Sequence, residues 1–473
     1  MATLANFGTI LGVNGQGVYL QLGGSVTNGS RLDTKGVITG QDGQGVYAKS
    51  GAATIVNYGA VRSIESDAVV LGDGGTLTNF GSIIGDAGQG VHLHAGGTVI
   101  NGSVKDTAAL IEGFAGVASD GAGQLRNFGT IVGGSGVSGP VGVTFGGKCT
   151  VTNGSAKDAT ALIEANTGLV VSYDAVLTNF GTILGTGGIA VQFGNASDVL
   201  IVEAGCAFVG QVLGDAGTLD LDTGKGVLTG LLAGGNVTVS GSMAATTFTN
   251  FGTVEIGASA NFTTSGAVSL AAGQAVVASG ALTLGGKGSA VANGGKLETL
   301  GGTLTVKSAV TGNGQATIKG GTLAFTSSFD QKVTFVGGAG TLVLARSRTY
   351  TATIAGFSKT GGTRLDLADI GFVNSAEATF SGTRSGGVLT VTDGTHTAHI
   401  ALAGDYRAST FVASSDGEGG TIVVDPTPES AAPAHRFIAA AASLGGSAGE
   451  AAHPGAALAG HAPMLTRPHT VLA

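Results

Sequence analysis

The sequence predicts an all-β fold, a right-handed parallel β-helix closed by an antiparallel β module. Three observations carry this: glycine makes up 88 of 473 residues, an asparagine motif recurs at nearly constant spacing, and short segments alternate apolar and polar residues between glycine corners. Only 11 % of residues are charged, against roughly 25 % in an ordinary globular domain. Glycine does not recur at every third position, which excludes collagen. An apolar content of 42 % excludes a chain that is disordered throughout. A helical bundle would draw on Leu, Ala, Glu and Lys rather than Gly, Thr, Val and Asn.

The motif is apolar-x-Asn-aromatic-Gly, first as Leu4-Ala5-Asn6-Phe7-Gly8 and again around Asn57, Asn79, Asn127, Asn179 and Asn250. A sister form, apolar-x-Asn-Gly-Ser, contains Asn28, Asn101 and Asn153. From Asn6 to Asn179 the steps are 22, 29, 22, 22, 26, 26 and 26 residues, each one coil. Such a step is too short for a propeller blade of about 40 residues. Stacked coils set Asn above Asn inside a turn, where the amide tolerates left-handed backbone and bonds both the main chain and the next Asn. The following aromatic is expected to form a second stack, and the Gly to supply positive φ. Residues 101–112 return nearly unchanged at 153–164, an offset of two coils. Three short strands per coil are expected. In Val18-Tyr19-Leu20-Gln21-Leu22 and Ile189-Ala190-Val191-Gln192-Phe193 the odd members face the interior, leaving Tyr, Gln and Ala outside. Handedness follows the rule for parallel crossovers.

Four regions follow in order: regular Asn-ladder coils at 1–194, less regular coils at 195–345, a capping module at 346–425 and a flexible tail at 426–473. At about 24 residues per coil the first two regions make roughly 14 coils. The second is marked by Leu297-Glu298-Thr299-Leu300, Leu304-Thr305-Val306, Ala316-Thr317-Ile318 and Leu323-Ala324-Phe325. In the third, Asp393-Gly394 and Asp416-Gly417 signal antiparallel hairpins that cover the last open strand edges. The fourth is rich in Ala, Gly, Pro and His, with one short helix expected around Arg436-Phe437-Ile438-Ala439.

The Asn-Phe-Gly-Thr-Ile coils followed by Gly-Gly-Thr-Leu coils resemble the passenger β-helices of bacterial autotransporters and related large adhesins, over roughly 1–345. The segment from Gly386 to Thr421 is similar to a terminal module of secreted, repeat-bearing alphaproteobacterial proteins. The resemblance implies an adhesin-like structural protein, extracellular or at a bacterial cell surface, whose partners are glycan or protein surfaces. The alternative is a polysaccharide lyase or glycoside hydrolase, since many parallel β-helices are such enzymes. The first basic residue is Arg31 and the terminus opens directly on a repeat. An N-terminal leader is therefore not expected, or the sequence begins inside a longer chain. No membrane barrel is expected at the C-terminus. The segment 436–444 resembles uncleaved signals read by one-step bacterial secretion machinery.

A net charge of −8, from 22 basic and 30 acidic residues, provides no basic stripe for nucleic acid. No apolar run reaches the length of a membrane span. Cys149 and Cys206 stand about two coils apart, too far to bridge, and are expected as free buried thiols.

The site reading assigns no catalytic residue, no cofactor and no metal. His92-Leu93-His94 has the spacing of a metal pair, but alignment with Gly17-Val18-Tyr19-Leu20-Gln21 puts both rings in a solvent-facing column. His396 and His399 fall on opposite strand faces, and His435, His453, His461 and His469 are scattered in the tail. Gly337-Gly338-Ala339-Gly340-Thr341-Leu342 has the glycines of a calcium roll but Leu342 where its Asp belongs, so a packed corner is expected. Asp220-Leu221-Asp222 is expected as an exposed polar edge. Lys105-Asp106 and Lys157-Asp158, and Glu112 and Glu164, lie two coils apart. That separation is too great for the paired carboxylates of glycoside cleavage. Trp, a common sugar-stacking residue, is absent.

Overall fold

The computed structural model describes residues 2–134, 139–286 and 289–427. The tail beyond 427, with its expected helix, secretion segment and four histidines, lies outside the described residues. The unit Met1–Pro426 is an all-β parallel solenoid of about 16 turns.

Each regular coil contributes three strands, because three glycine-rich corners interrupt otherwise β-forming sequence. The first column stacks Ala2–Asn6, Gly24–Asn28, Ala53–Asn57, Gly75–Asn79, Gly97–Asn101, Gly123–Asn127, Cys149–Asn153 and Val176–Asn179, all in parallel register. The second begins Thr9–Gly12, Val37–Gly40, Ala60–Ser63, and the third Val18–Leu20, Val46–Ala48, Val69–Leu71. Alternation turns Val26, Ile55, Leu77, Val99, Leu125, Val151 and Leu177 into one fully buried apolar column. Burying each such side chain is worth about 1.5–3 kcal/mol. Gly75, at φ +134°, marks a corner where only glycine fits: a Cβ there would overlap the Ala53 backbone of the coil below.

The asparagines form one continuous ladder. Each Nδ2 donates to the next Oδ1 at 2.8–2.9 Å, from Asn6 through Asn28, Asn57, Asn79, Asn101, Asn127 and Asn153 to Asn179. The amides also close the turn. Asn79 donates to the carbonyls of Gly81 and Leu110, and its Oδ1 accepts from the Gly81 N–H. Asn250 does not join the ladder. It sits exposed at φ +58°, while Phe251 takes the buried place beside it.

The expected aromatic stack is interrupted. Tyr58 and Phe80 do stack, at 5.0 Å, but Gly29, Gly102 and Gly154 fill the same position in the sister coils. There the chain instead extrudes a small loop pinned by Ser30–Asp33, Ser103–Asp106 or Ser155–Asp158 bridges. Two facing expectations also change. Leu22 lies past the end of its strand and is 77 % exposed. Ala190 is buried, because the register with the next coil shifts between Ile189 and Val191 and turns it inward.

Two departures interrupt simple stacking. Thr218–Ala233 runs out of the coil and turns back, pairing antiparallel with Asn236–Gly241, which pairs antiparallel with Thr246–Thr249. The parallel stack then resumes with Thr253–Ser265 and continues past the point where sequence periodicity breaks, through Thr353–Ala355 and Thr363–Leu367. The antiparallel module follows. Ala378–Gly382, Gly386–Thr392 and Thr397–Ala403 form a meander, and Val412–Ser415 pairs with Thr421–Val424, which closes onto Thr363–Leu367. Its core is an aromatic cluster of Phe357, Phe380, Tyr406 and Phe411, with centroids 5.8–6.1 Å apart. Tyr406 Oη donates to the Phe357 carbonyl at 2.8 Å.

Both cysteines are free and buried, and burial pushes each thiol up to about 12.

Candidate functional site

The densest chemistry lies where the inserted hairpin leaves the solenoid. Asp220 is in register with Ile201 of the preceding coil and Glu255 of the following one. Adjacent strands are about 4.8 Å apart, so Asp220 and Glu255 form a same-column carboxylate pair. Two residues farther along the strand, Asp222 neighbours Glu203, which accepts from Thr223 Oγ1 at 2.6 Å. Glu255 accepts from Ser279 Oγ at 2.9 Å.

Asp220 is not the exposed edge that its sequence context suggested. It is half-buried, one carboxyl oxygen is buried without a partner, and burial pushes the acid up to about 7. The negative charges of Glu255, Asp222 and Glu203 act in the same direction. The register thus places an acid whose pKa is raised toward neutrality one strand from a second carboxylate. Sequence reasoning missed Glu255 because the hairpin makes this coil 35 residues long.

Farther along, a shallow groove of about 580 Å³ crosses successive coils from Thr253 to Lys332. Lys296, Gln315 and Lys332 hold the same register position on consecutive strands, with Gln274 and Asn313 beside them. Lys296 and Lys319 each reach Glu298 at 2.8 Å. Those contacts hold the Glu298 carboxyl below its usual range despite its burial.

His92 and His94 emerge on neighbouring outward positions of Val91–Leu93 and its end, with ring centroids 4.2 Å apart. Two aspartates from flanking coils meet them. His92 Nδ1 lies 3.0 Å from Asp67 Oδ2, and His92 Nε2 lies 3.3 Å from Asp120 Oδ2. His94 Nδ1 is 2.9 Å from that same Asp120 oxygen.

The remaining residues singled out by sequence do not converge. His396 pairs with Asp393 of its own turn at 2.9 Å, whereas His399 faces Thr390 at 3.3 Å. Glu112 and Glu164 are separated in their column by Val132. Asp106 and Asp158 close separate loops. Leu342 is a fully buried core residue.

No protein-family model matches the chain, and no curated protein is significantly similar to it in sequence. The fold alone therefore defines its class, a parallel β-solenoid protein. Among the described residues no helix is long and apolar enough to cross a membrane.

Proposed function

We propose that this chain is an adhesin-like structural protein, secreted or displayed at a bacterial cell surface, that holds extracellular glycan or protein surfaces through repeated contacts along its coils. The groove from Thr253 to Lys332 carries the reading: Lys296, Gln315 and Lys332 offer ammonium and amide groups once per coil. An extended polymer laid across the strands meets equivalent donors about every 4.8 Å, and modest contacts in series add up to useful avidity. Export, by a one-step secretion system or otherwise, is part of the proposal.

The test is retention of the full chain on immobilised acidic polysaccharides. Replacing Gln315 and Lys332, both exposed, with Ala should reduce retention at least several-fold while the thermal melt of the parent is kept. Unchanged retention would overturn the groove as the contact surface. The Asp220–Glu255 pair favours a second reading, cleavage of a polysaccharide. That reading expects new reducing ends or unsaturated sugars that disappear in Asp220→Asn, whereas the adhesin reading expects binding without turnover.

A further inference from the structure

We propose that His92, His94 and Asp120 form a surface binding site for one first-row divalent metal ion, zinc foremost, with Asp67 as its orienting carboxylate. Three consecutive coils assemble it. Val69–Leu71, Val91–Leu93 and Val117–Ser119 stack in register. Asp67 precedes the first, the histidines sit on and just after the second, and Asp120 follows the third. The main-chain bonds His94 N–H to Leu71 O, 3.0 Å, and Asp120 N–H to Leu93 O, 3.0 Å, hold these positions one strand spacing apart.

The donor atoms already have the mutual separations a metal needs. His92 Nε2 and His94 Nδ1 lie 3.3 Å and 2.9 Å from Asp120 Oδ2, and all three lie within 4.8 Å of one another. Zinc bonds of about 2.0–2.2 Å in a tetrahedron separate neighbouring ligands by roughly 3.3–3.5 Å. The His94 ring and the Asp120 carboxylate, both open to solvent, can rotate toward that geometry around the more buried His92.

Asp67 supplies an independent observation. Its Oδ2 lies 3.0 Å from His92 Nδ1, a contact that would keep a proton on Nδ1 when a metal ion takes the place of the Nε2 proton on the side of Asp120 and His94. Its other oxygen is itself held, accepting the Gln89 N–H at 2.7 Å. A carboxylate that orients a ligating imidazole in this way is the usual outer support of protein metal sites. Two imidazoles and one carboxylate favour zinc-like ions over calcium or magnesium, which prefer all-oxygen shells. His94 and Asp120 have side chains 47 % and 61 % exposed, so a fourth position opens to solvent.

The test is equilibrium dialysis of the metal-stripped full chain against zinc chloride, with cobalt absorption as a second readout. One ion per chain is expected at micromolar zinc, together with visible cobalt bands of tetrahedral type. His92→Gln with His94→Gln should abolish both, and Asp67→Asn should weaken binding about 10- to 100-fold. Changing His435, His453, His461 and His469 together to Gln should leave the ion in place. Melting curves in a chelator keep the result interpretable, because these surface changes should leave the metal-free melt unaltered. If His94→Gln alone is used, the same loss is expected. Zinc retention unaffected by the His92 and His94 changes, or no stoichiometric zinc on the parent chain, would overturn the site and leave a plain imidazole–carboxylate cluster.

Discussion

At the residue scale, two asparagines with the same local motif have opposite fates, and the contrast yields a prediction. Asn79 is buried and bonded to Asn57, Asn101 and the turn backbone, whereas Asn250 is exposed in left-handed backbone. Asn79→Leu takes one ladder bond from each of Asn57 and Asn101, which keep their main-chain contacts, and strips the Gly81 N–H of its acceptor; a cost of about 1–3 kcal/mol is expected. Asn250→Gly should change stability by less than about 0.5 kcal/mol. Chemical denaturation of the two variants measures this, and equal effects would refute a structural role for the ladder. Asp220 yields a second prediction, with a definite sign. Unfolded, it ionises near 3.8; folded, it holds its proton to about 7. Between those values the folded state binds more protons, so this residue's contribution to stability is present below pH 4 and falls as pH rises toward 7. Asp220→Asn should remove that slope and stabilise the fold at pH 8 by about 1–2 kcal/mol, a figure discounted for solvent screening at a half-buried carboxyl. Melting temperature against pH for parent and variant checks it.

At the element scale, the capping module depends on one buried aromatic cluster. Tyr406 is 3 % exposed, packs on Phe380 and Phe411, and ties the meander to Phe357 through its hydroxyl. Tyr406→Ala should destabilise this module by about 3–5 kcal/mol. The loss should appear first as faster amide exchange in Thr353–Ala355, Thr363–Leu367 and the meander, with the Asn-ladder coils still protected. Uniform loss of protection would show that the cap and the coils unfold as one unit. The Asp-Gly pairs made the hairpins legible in the sequence: Gly394 and Gly417 each take φ +86°. The inserted hairpin at 218–249 was not legible. Its strand Thr218–Ala233 is as alternating and glycine-broken as any pair of coil strands, so local pattern did not distinguish turning outward from turning the next corner.

At the scale of the whole molecule, a solenoid's stability is a sum of neighbouring-coil interfaces. Under the proposed export route, removing residues 428–473 should abolish appearance of the protein outside the cell. Fractionation of a bacterial host tests this, and an unchanged secreted fraction would exclude the tail as the signal.

The sequence by itself determined the coil period, the asparagine ladder and the apolar interior columns of the first eight coils, because a stacked ladder demands the same residue at each repeat and so announces itself. Only the tertiary structure decided the sites. Asp220 meets Glu255 across a coil lengthened by a hairpin, and His92 meets Asp67 and Asp120 at sequence separations of 25 and 28. Such partners are unlike one another and occur once. Whether they meet depends on the register between coils of unequal length, which is set by where each loop is extruded, and that is a property of the packed stack rather than of any local stretch of chain.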